Sequence, residues 1–267
     1  MVIKKALYFL RRDFLEALSY RFAFFLQLGG VFFSILTFFF LSRLFGKNIP
    51  LLQPYGGNYF AFALIGIAFS TYLGVSLGSF SSSIRREQIM GTIESILVTQ
   101  TPIPLLILFS SLYNFLFSSF HVILYILIGG LFFNVHLTVN FIAAFVFLFL
   151  AITSFASVGI ISASFIMVFK KGDPFTWVFS TLNGLLGGVL YPVKVLPQGL
   201  QKIAYFLPTT HVLEGMRMSL LKGYSLKMLM PEWAFLVVFS LIMLPLSIYL
   251  FGKAVRKAKK DGTLIQY

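Results

Sequence analysis

Long, uninterrupted apolar stretches set the strongest limit on what this chain can fold into. Several of them run to about 18 residues or more, and a helix of that length crosses about 30 Å of hydrocarbon. Inside a bilayer every backbone N–H and C=O has to be paired within its own segment, which favours helices. Charged residues make up 11% of the chain, against roughly 25% in soluble domains. The sequence therefore predicts an all-α integral membrane protein.

Six stretches have the length and apolarity of membrane crossings, within a single transmembrane domain that covers residues 1–267. They are predicted at residues 22–42, 59–82, 104–133, 139–169, 175–191 and 233–252. Residues 1–21 come before them and are too polar to cross. In that segment Ile3, Leu7 and Leu10 recur at spacings of three and four, which predicts an amphipathic helix lying in the headgroup region. A cytosolic helix packed on a partner is the alternative.

Basic residues give the orientation. With the N-terminus inside, fourteen of the 21 Lys and Arg residues fall on the cytoplasmic side, where such residues concentrate. Both termini are therefore predicted to be cytoplasmic.

The net charge of +13 comes from residues that flank apolar stretches, so it indicates contact with membrane lipids and not with nucleic acid. The absence of Cys excludes disulfides and thiolate metal sites.

Two segments between the crossings are amphipathic. Residues 85–102, on the cytoplasmic side, are too charged to cross but carry Ile89, Ile93 and Ile96 at helical spacing. This pattern favours a helix that docks a soluble partner, and a solvated loop is the alternative. Residues 192–223, on the outer side, are punctuated by prolines and predict two short helices with a break near Pro208. Their apolarity predicts a re-entrant pair that dips into the outer leaflet.

These two segments carry a family resemblance. The run Glu87-Gln88-Ile89-Met90-Gly91-Thr92-Ile93-Glu94 resembles the E-x-x-x-G-T-x-E signature of the membrane subunits of ABC-2 type transporters. The outer segment is similar to the pattern that precedes the last crossing in that family, through Tyr191-Pro192, Leu196-Pro197, Pro208-Thr209 and Glu214-Gly215-Met216-Arg217. The resemblance covers essentially the whole chain. It implies the ABC-2, or type V exporter, fold.

The resemblance also implies a function and partners. The chain would be a permease in the cell membrane of a bacterium or archaeon, paired with a second permease that is identical or related. Two copies of a separate ABC ATPase would bind ATP and Mg, since the chain has no G-x-x-x-x-G-K-[ST] phosphate loop. No cofactor, metal or catalytic residue is expected in this chain. The expected activity is export of a hydrophobic or amphipathic substrate, such as a drug, a lipid-like compound or another small molecule.

Three alternatives stay open at this point. One is an exporter of polysaccharide or lipid-linked glycan from the same superfamily. Another is a membrane assembly or immunity protein that does not transport. A membrane-embedded enzyme would need clustered acid, His or Ser-Lys groups at one bilayer depth, and the sequence does not show such a cluster.

Three groups of candidate site residues follow from the resemblance. The ATPase-coupling group is Arg85, Arg86, Glu87, Gly91, Thr92 and Glu94, and the alternative for its end is a helix start capped by Thr92. The outer group is Pro192, Pro197, Pro208, Glu214 and Arg217. Glu214 and Arg217 are three residues apart and are expected either to pair with each other or to line an exit. The possible path-lining group is Phe32, Phe33, Phe38, Phe39 and Asn183.

A few polar residues lie within the predicted crossings: Gln27, Asn114, His121 and Asn183. Hydrogen bonding between helices is the favoured interpretation for each of them, worth about 0.6 kcal/mol. Gly74 and Gly78 form a G-x-x-x-G pair, which predicts close helix packing.

Overall fold

The computed structural model of the chain describes residues 2–46, 49–91, 103–133, 135–169 and 174–261. Within these ranges the regular structure consists of nine α-helices and two short 3-10 helices, so the all-α prediction is confirmed there. The α-helices are α1 (Val2–Ser19), α2 (Arg21–Leu44), α3 (Tyr59–Ile89), α4 (Ile103–Phe133), α5 (Phe141–Phe169), α6 (Pro174–Leu186), α7 (Gln198–Ala204), α8 (Pro208–Leu221) and α9 (Met230–Lys260). The 3-10 helices are Pro50–Tyr55 and Val193–Val195.

Five helices of the described chain are long and apolar enough to cross a bilayer. Their apolar segments are Phe24–Leu44, Tyr59–Ile89, Ser111–Phe133, Phe141–Phe169 and Met230–Lys260. They correspond to the predicted crossings other than the fifth. The predicted fifth crossing, residues 175–191, is helical only over Pro174–Leu186, about 20 Å at 1.5 Å per residue. A helix of that length is shorter than the hydrocarbon core of about 30 Å.

Helix α3 is the centre of the fold. Of its most apolar stretch 72% is buried, against 11% for α2 and 17% for α9. Helices α2, α4, α5, α6 and α8 all pack on it. The main apolar cluster includes Phe62, Phe69 and Tyr72 of α3, which are fully buried. Helix α2 therefore presents most of its apolar surface outward, to lipid or to another chain.

A second apolar cluster lies near the C-terminal ends of α3, α5 and α9. It brings together Phe80 of α3, Met167 of α5 and Phe251 of α9. Hydroxyl groups join the same helices: Ser81 Oγ lies 2.7 Å from Ser162 Oγ, and Ser154 Oγ lies 3.0 Å from Ser240 Oγ. Short hydroxyl side chains let helices approach closely and satisfy each other in apolar surroundings.

The short helix α6 connects opposite ends of α3. At its start, Thr176 Oγ1 lies 2.7 Å from Ser162 Oγ, which itself contacts Ser81 of α3. Beyond its end, the Val189 carbonyl and the Phe62 carbonyl of α3 both accept hydrogen bonds from the same side chain, Arg217. Nineteen residues separate Phe62 from Ser81, about 28 Å along a helix. The helix and the non-helical residues that follow it together cover this distance, since each extended residue adds up to about 3.5 Å.

Close packing of α5 on α3 occurs at a glycine other than the predicted pair. A Cβ on Gly74 or Gly78 would meet no atom within 4 Å, so this pair does not bring helices together within the described chain. A Cβ on Gly159 would instead lie 2.6 Å from the backbone oxygen of Ser76. Gly159 of α5 therefore sets how closely α5 approaches α3.

Replacing Gly159 tests this packing. Gly159→Ala should force α5 and α3 apart and lower the free energy of unfolding by about 1–3 kcal/mol, the usual effect of overpacking. Unfolding in a denaturing detergent titration would measure the change. Gly74→Ala is the matched control and should leave stability unchanged or raise it slightly, because alanine favours helix. Equal stability of the two variants would contradict the packing described here.

Candidate functional site

The chain is not helical just after α6, and one arginine binds this segment. Arg217 of α8 is 2% exposed. Its Nη1 donates to Gly188 O at 2.8 Å, its Nη2 to Val189 O at 2.8 Å, and its Nε to Phe62 O at 3.2 Å. The guanidinium also lies 3.4 Å from the centre of the Phe62 ring. A single side chain therefore joins α8, α3 and the segment after α6.

The hydrogen bonds of Arg217 supply donors to buried carbonyls that have no helical partner. The last carbonyls of a helix and those of a non-helical segment have no intrahelical partner, and leaving them unpaired in apolar surroundings is costly. Gly187, Gly188 and Val189 are all buried, so water does not supply the missing donors. Arginine has five donors in a planar fork and stays charged, which suits it to bind several carbonyls together.

Two glycines make room for the arginine and for the backbone it binds. A Cβ on Gly66 of α3 would lie 2.0 Å from Val189 O and 2.6 Å from Nη2 of Arg217. Gly188 adopts a left-handed conformation with φ of 75°, which side chains disfavour. The break therefore depends on specific residues in α3 and in the segment itself.

The predicted partner of Arg217 binds elsewhere. Glu214 accepts a hydrogen bond from the Tyr55 hydroxyl at 2.6 Å, and these two described side chains, Glu214 and Arg217, make no direct ion pair. Burial raises the pKa of Glu214, while Tyr55 and Arg217 partly counter this effect. Burial lowers the pKa of Arg217 to about 10, so the guanidinium stays charged at neutral pH. Burial, followed by the Glu214 charge, raises the pKa of Tyr55, so the phenol keeps its proton and donates.

A small cavity lies beside these groups. It has a volume of about 220 Å³ and is lined by Tyr55, Lys194, Glu214, Arg217 and Glu232, among others. His211 contacts two of the lining residues: its Nδ1 contacts Glu232, and its Nε2 lies 2.9 Å from Tyr205 O. These contacts tie α8 to the start of α9. Acidic and basic groups thus share one cavity, and the exit role that the sequence offered for Glu214 and Arg217 stays a prediction.

The three prolines of the outer group each start a helical segment. Pro192 precedes the 3-10 helix Val193–Val195, Pro197 precedes α7, and Pro208 is the first residue of α8. Proline is suited to these positions because its missing N–H would be unpaired there in any case. The two short helices and the break near Pro208 are present, as the proline spacing predicts.

The buried side chain of Asn183 connects α6 to α8 by hydrogen bonds. Its side chain has no exposed surface, its Nδ2 donates to Phe179 O at 2.6 Å, and its Oδ1 accepts from Thr209. This is the interhelical hydrogen bond that the sequence favoured. Its burial leaves the residue no surface with which to line a path within this subunit.

The aromatic candidates of α2 divide into two pairs. Phe32 and Phe33 are exposed, whereas Phe38 and Phe39 are half-buried. The Phe39 ring lies 4.5 Å from that of Phe133, so it packs inside the subunit. Phe32 and Phe33 face outward and are the members of this group that are free to contact a substrate or a second chain.

The ATPase-coupling group starts on α3 itself. The helix extends to Ile89, past the predicted end of the second crossing at Ser82, so Arg85, Arg86 and Glu87 occupy its last turns. Gly91 follows in a left-handed conformation with φ of 68°, which ends the helix. Thr92 and Glu94 lie outside the described residues, as does the rest of the predicted docking helix.

A charge network joins this end of α3 to α1. Arg12 Nε donates to Asp13 Oδ1 at 2.9 Å, and Arg12 Nη1 donates to Glu87 Oε1 at 3.3 Å. Arg12 is about half exposed, so the pair contributes at most about 1 kcal/mol to stability. The contact instead fixes a position, because it connects the first residue of the signature to α1.

Sequence reasoning missed Tyr55, Arg12 and Asp13. Tyr55 lies in a short loop whose 3-10 helix gives no periodic signal. Asp13 offered a usable signal, since it lies three residues after Leu10 and therefore next to the apolar stripe of α1. An acidic residue at that position is 8% exposed in the structure, which requires polar neighbours.

Comparison with known proteins agrees with this architecture. A family model described as ABC-2 type transporter matches residues 6–221, which is most of the chain. The match runs from α1 to the end of α8 and includes both motifs that carry the resemblance, which is therefore confirmed. A comparison with curated proteins finds no match.

Removing the Arg217 guanidinium tests its role at the break. Arg217→Met keeps a long apolar stem but leaves the buried carbonyls of Gly188 and Val189 without donors, so the free energy of unfolding should fall by about 3 kcal/mol. Arg217→Lys should recover only part of this loss, since an ammonium lacks the planar fork. Detergent unfolding would measure both variants. Lys222→Met, at the exposed end of α8, is the control and should change stability by less than about 0.5 kcal/mol.

The raised pKa of Glu214 predicts a pH effect. A carboxyl with a higher pKa in the folded state binds more protons when folded. The Glu214 carboxyl therefore contributes its full amount to the free energy of unfolding below its pKa in the unfolded chain. This contribution is lost as the pH rises through its pKa in the folded chain. Glu214→Gln keeps an acceptor for Tyr55 and removes this titration. The thermal midpoint of the wild type relative to the variant should therefore fall as the pH is raised from about 4 into the neutral range. A constant difference across this range would contradict the assignment.

Proposed function

The chain belongs to the ABC-2 type transporter family, and we propose that it is the permease subunit of an ABC exporter. The family is a membrane transport component that normally pairs with an ABC ATPase, and the five long apolar helices fit a multi-pass membrane protein. The proposal adds the direction of transport, the number of partners and the kind of substrate. ATP and Mg would be bound by two copies of the partner ATPase.

The observation that carries this proposal is the position of the signature at the end of the central helix. Glu87, the first signature residue, lies in the last turn of α3, and α3 packs on α2, α4, α5, α6 and α8. A force applied by an ATPase to residues 85–94 would reach every one of these helices through α3. The Arg12–Glu87 contact adds α1 to the same unit.

Helix α3 also connects the ATPase-coupling group to the cavity next to Arg217. At the opposite end of α3, Phe62 O accepts a hydrogen bond from Arg217, next to the outer cavity. ATP binding would close the ATPase pair and shift the cytoplasmic end of α3. A shift along the helix would then change the outer cavity, which gives alternating access between two permeases.

The exposed face of α2 supports a second permease beside this one. Only 11% of its apolar stretch is buried, and Phe32 and Phe33 point outward. A path between two such faces would have aromatic walls without charged groups among the described residues of α2 between Phe24 and Ser42. Such walls suit a hydrophobic or amphipathic substrate, because an ion would meet a penalty for losing water.

Six crossings follow if α6 and the residues after it cross the membrane together. Both termini would then be cytoplasmic, which agrees with the distribution of Lys and Arg. Helices α7 and α8 would lie in the outer leaflet with the non-helical backbone buried against protein, as a bilayer requires.

A charge reversal in the signature tests the coupling. In liposomes that contain the permease and its co-expressed ABC ATPase, Glu94→Lys should lower substrate-stimulated ATP hydrolysis about tenfold. This corresponds to about 1.4 kcal/mol of lost contact between unlike charges. Asp261→Lys, an exposed acid at the cytoplasmic end of α9, is the control and should leave hydrolysis unchanged. Unchanged coupled turnover in Glu94→Lys would contradict the docking role.

The same preparation separates the alternatives. An ABC ATPase that co-purifies and is stimulated by a small amphipathic compound supports the proposed permease. Stimulation by a lipid-linked glycan alone would assign the chain to glycan export. Co-purification without stimulation by either would favour a membrane protein that does not transport.

A further inference from the structure

One histidine side chain connects the end of α7 to the start of α9. Nδ1 of His211 contacts the Glu232 carboxylate of α9, and its Nε2 lies 2.9 Å from the backbone oxygen of Tyr205, which follows α7. The ring also stacks on Phe235 of α9, with ring centres 4.0 Å apart. The His211 side chain is 12% exposed, so it is held by its neighbours and still reaches solvent. The proposed transport mechanism gives this link no role.

Both atoms that face the ring nitrogens are hydrogen-bond acceptors. The Tyr205 carbonyl has no proton to donate. Glu232 lies in the first turn of α9, where the end of the helix favours a carboxylate. A neutral imidazole has one N–H and one bare nitrogen, whereas an imidazolium has two N–H groups. The arrangement around His211 therefore requires two protons, one on Nε2 and one between Nδ1 and Glu232.

The backbone near Tyr205 explains why its carbonyl depends on His211. Tyr205 caps the C-terminal end of α7, where carbonyl groups have no intrahelical donor. Pro208, three residues later, begins α8 and has no N–H with which to close a turn onto this oxygen. A histidine near the end of a helix can bind such a carbonyl. Loss of the Nε2 proton would leave the Tyr205 oxygen facing a bare nitrogen.

The neighbouring charged groups already have other partners. Glu214 accepts from Tyr55, and Arg217 donates to three backbone carbonyls. Helix α5, which also packs on α8, has no titratable side chain. The remaining titratable groups of the cavity lining and the adjacent elements are Tyr55, Tyr59, Lys194, Lys202, Tyr205, Glu214 and Arg217. Glu214 is the acid in this set, so a test of the histidine has to be controlled against it.

We propose that the His211–Glu232 pair is a proton-dependent latch between α7 and α9. At acid pH the ring has both N–H groups and binds Tyr205 and Glu232 together. Histidine changes charge between about pH 5 and 8, and above this range a neutral ring keeps only one of the two contacts. The end of α7 then separates from the start of α9, and the cavity opens between Tyr205 and Glu232, which both line it. The latch requires neither ATP nor a transported substrate.

A distance measurement between α7 and α9 tests the latch. The chain has no Cys, so Lys202→Cys and Met230→Cys, both at exposed positions, attach one spin label to each helix. Double electron–electron resonance of the full-length chain in lipid nanodiscs gives the distribution of label distances. One narrow population is expected at about pH 5, and a second, longer population should appear at about pH 9. Identical distributions at the two pH values would overturn the proposal.

Three further variants of the labelled chain separate the latch from other pH effects. His211→Phe keeps the stack on Phe235 but has no N–H, so it should show the longer population at both pH values. Glu232→Gln should show only the short population at both, because its amide can donate to a neutral Nδ1 or accept from a protonated one. Glu214→Gln should keep the full pH response.

The Glu232→Gln result decides the matter if His211→Phe fails to fold. A pH response that persists in His211→Phe or Glu232→Gln would contradict the latch. Loss of the response in Glu214→Gln would assign the effect to that carboxyl instead, and would equally overturn the proposal.

Discussion

The hydrogen bonds of the buried Arg217 guanidinium are the interaction on which the segment after α6 and the α7–α8 pair depend. Helix α6 ends too early to cross a membrane by itself, and the chain continues as buried non-helical backbone. Carbonyl groups of that backbone need donors, and Arg217 of the neighbouring helix α8 donates two hydrogen bonds to them, at Gly188 O and Val189 O. Without it the segment after α6 would have to move to water, and the α7–α8 pair would lose its position.

The arginine also connects this outer region to the helix that carries the family signature. It binds Phe62 near the start of α3, and Glu87 in the last turn of the same helix accepts a hydrogen bond from Arg12. The two regions singled out by the sequence therefore lie at opposite ends of one buried helix. A long helix that is packed on all sides transmits a displacement with little loss, because packed interiors are hardly compressible. The proposed coupling between ATPase and exit needs no further connecting element.

The sequence predicted the features that depend on local pattern and missed those that depend on tertiary contact. Apolar length predicted the long helices, and proline spacing predicted the division between α7 and α8. The early end of α6 was missed, since residues 187–191 remain apolar and only Arg217 explains how they stay buried without a helix. Gly159, and not the Gly74–Gly78 pair, makes the close approach, because spacing does not reveal which face meets a neighbour.

Labelling of single cysteines tests the central claim that α6 and the residues after it complete a fifth crossing. The chain has no Cys, so the wild type gives no background. Arg11→Cys, Lys194→Cys and Asp261→Cys place one thiol each at exposed positions of α1, the outer segment and the end of α9. A membrane-impermeant maleimide should label residues 11 and 261 from the cytoplasmic side and residue 194 only from the opposite side. Labelling of residues 194 and 261 from the same side would contradict the account.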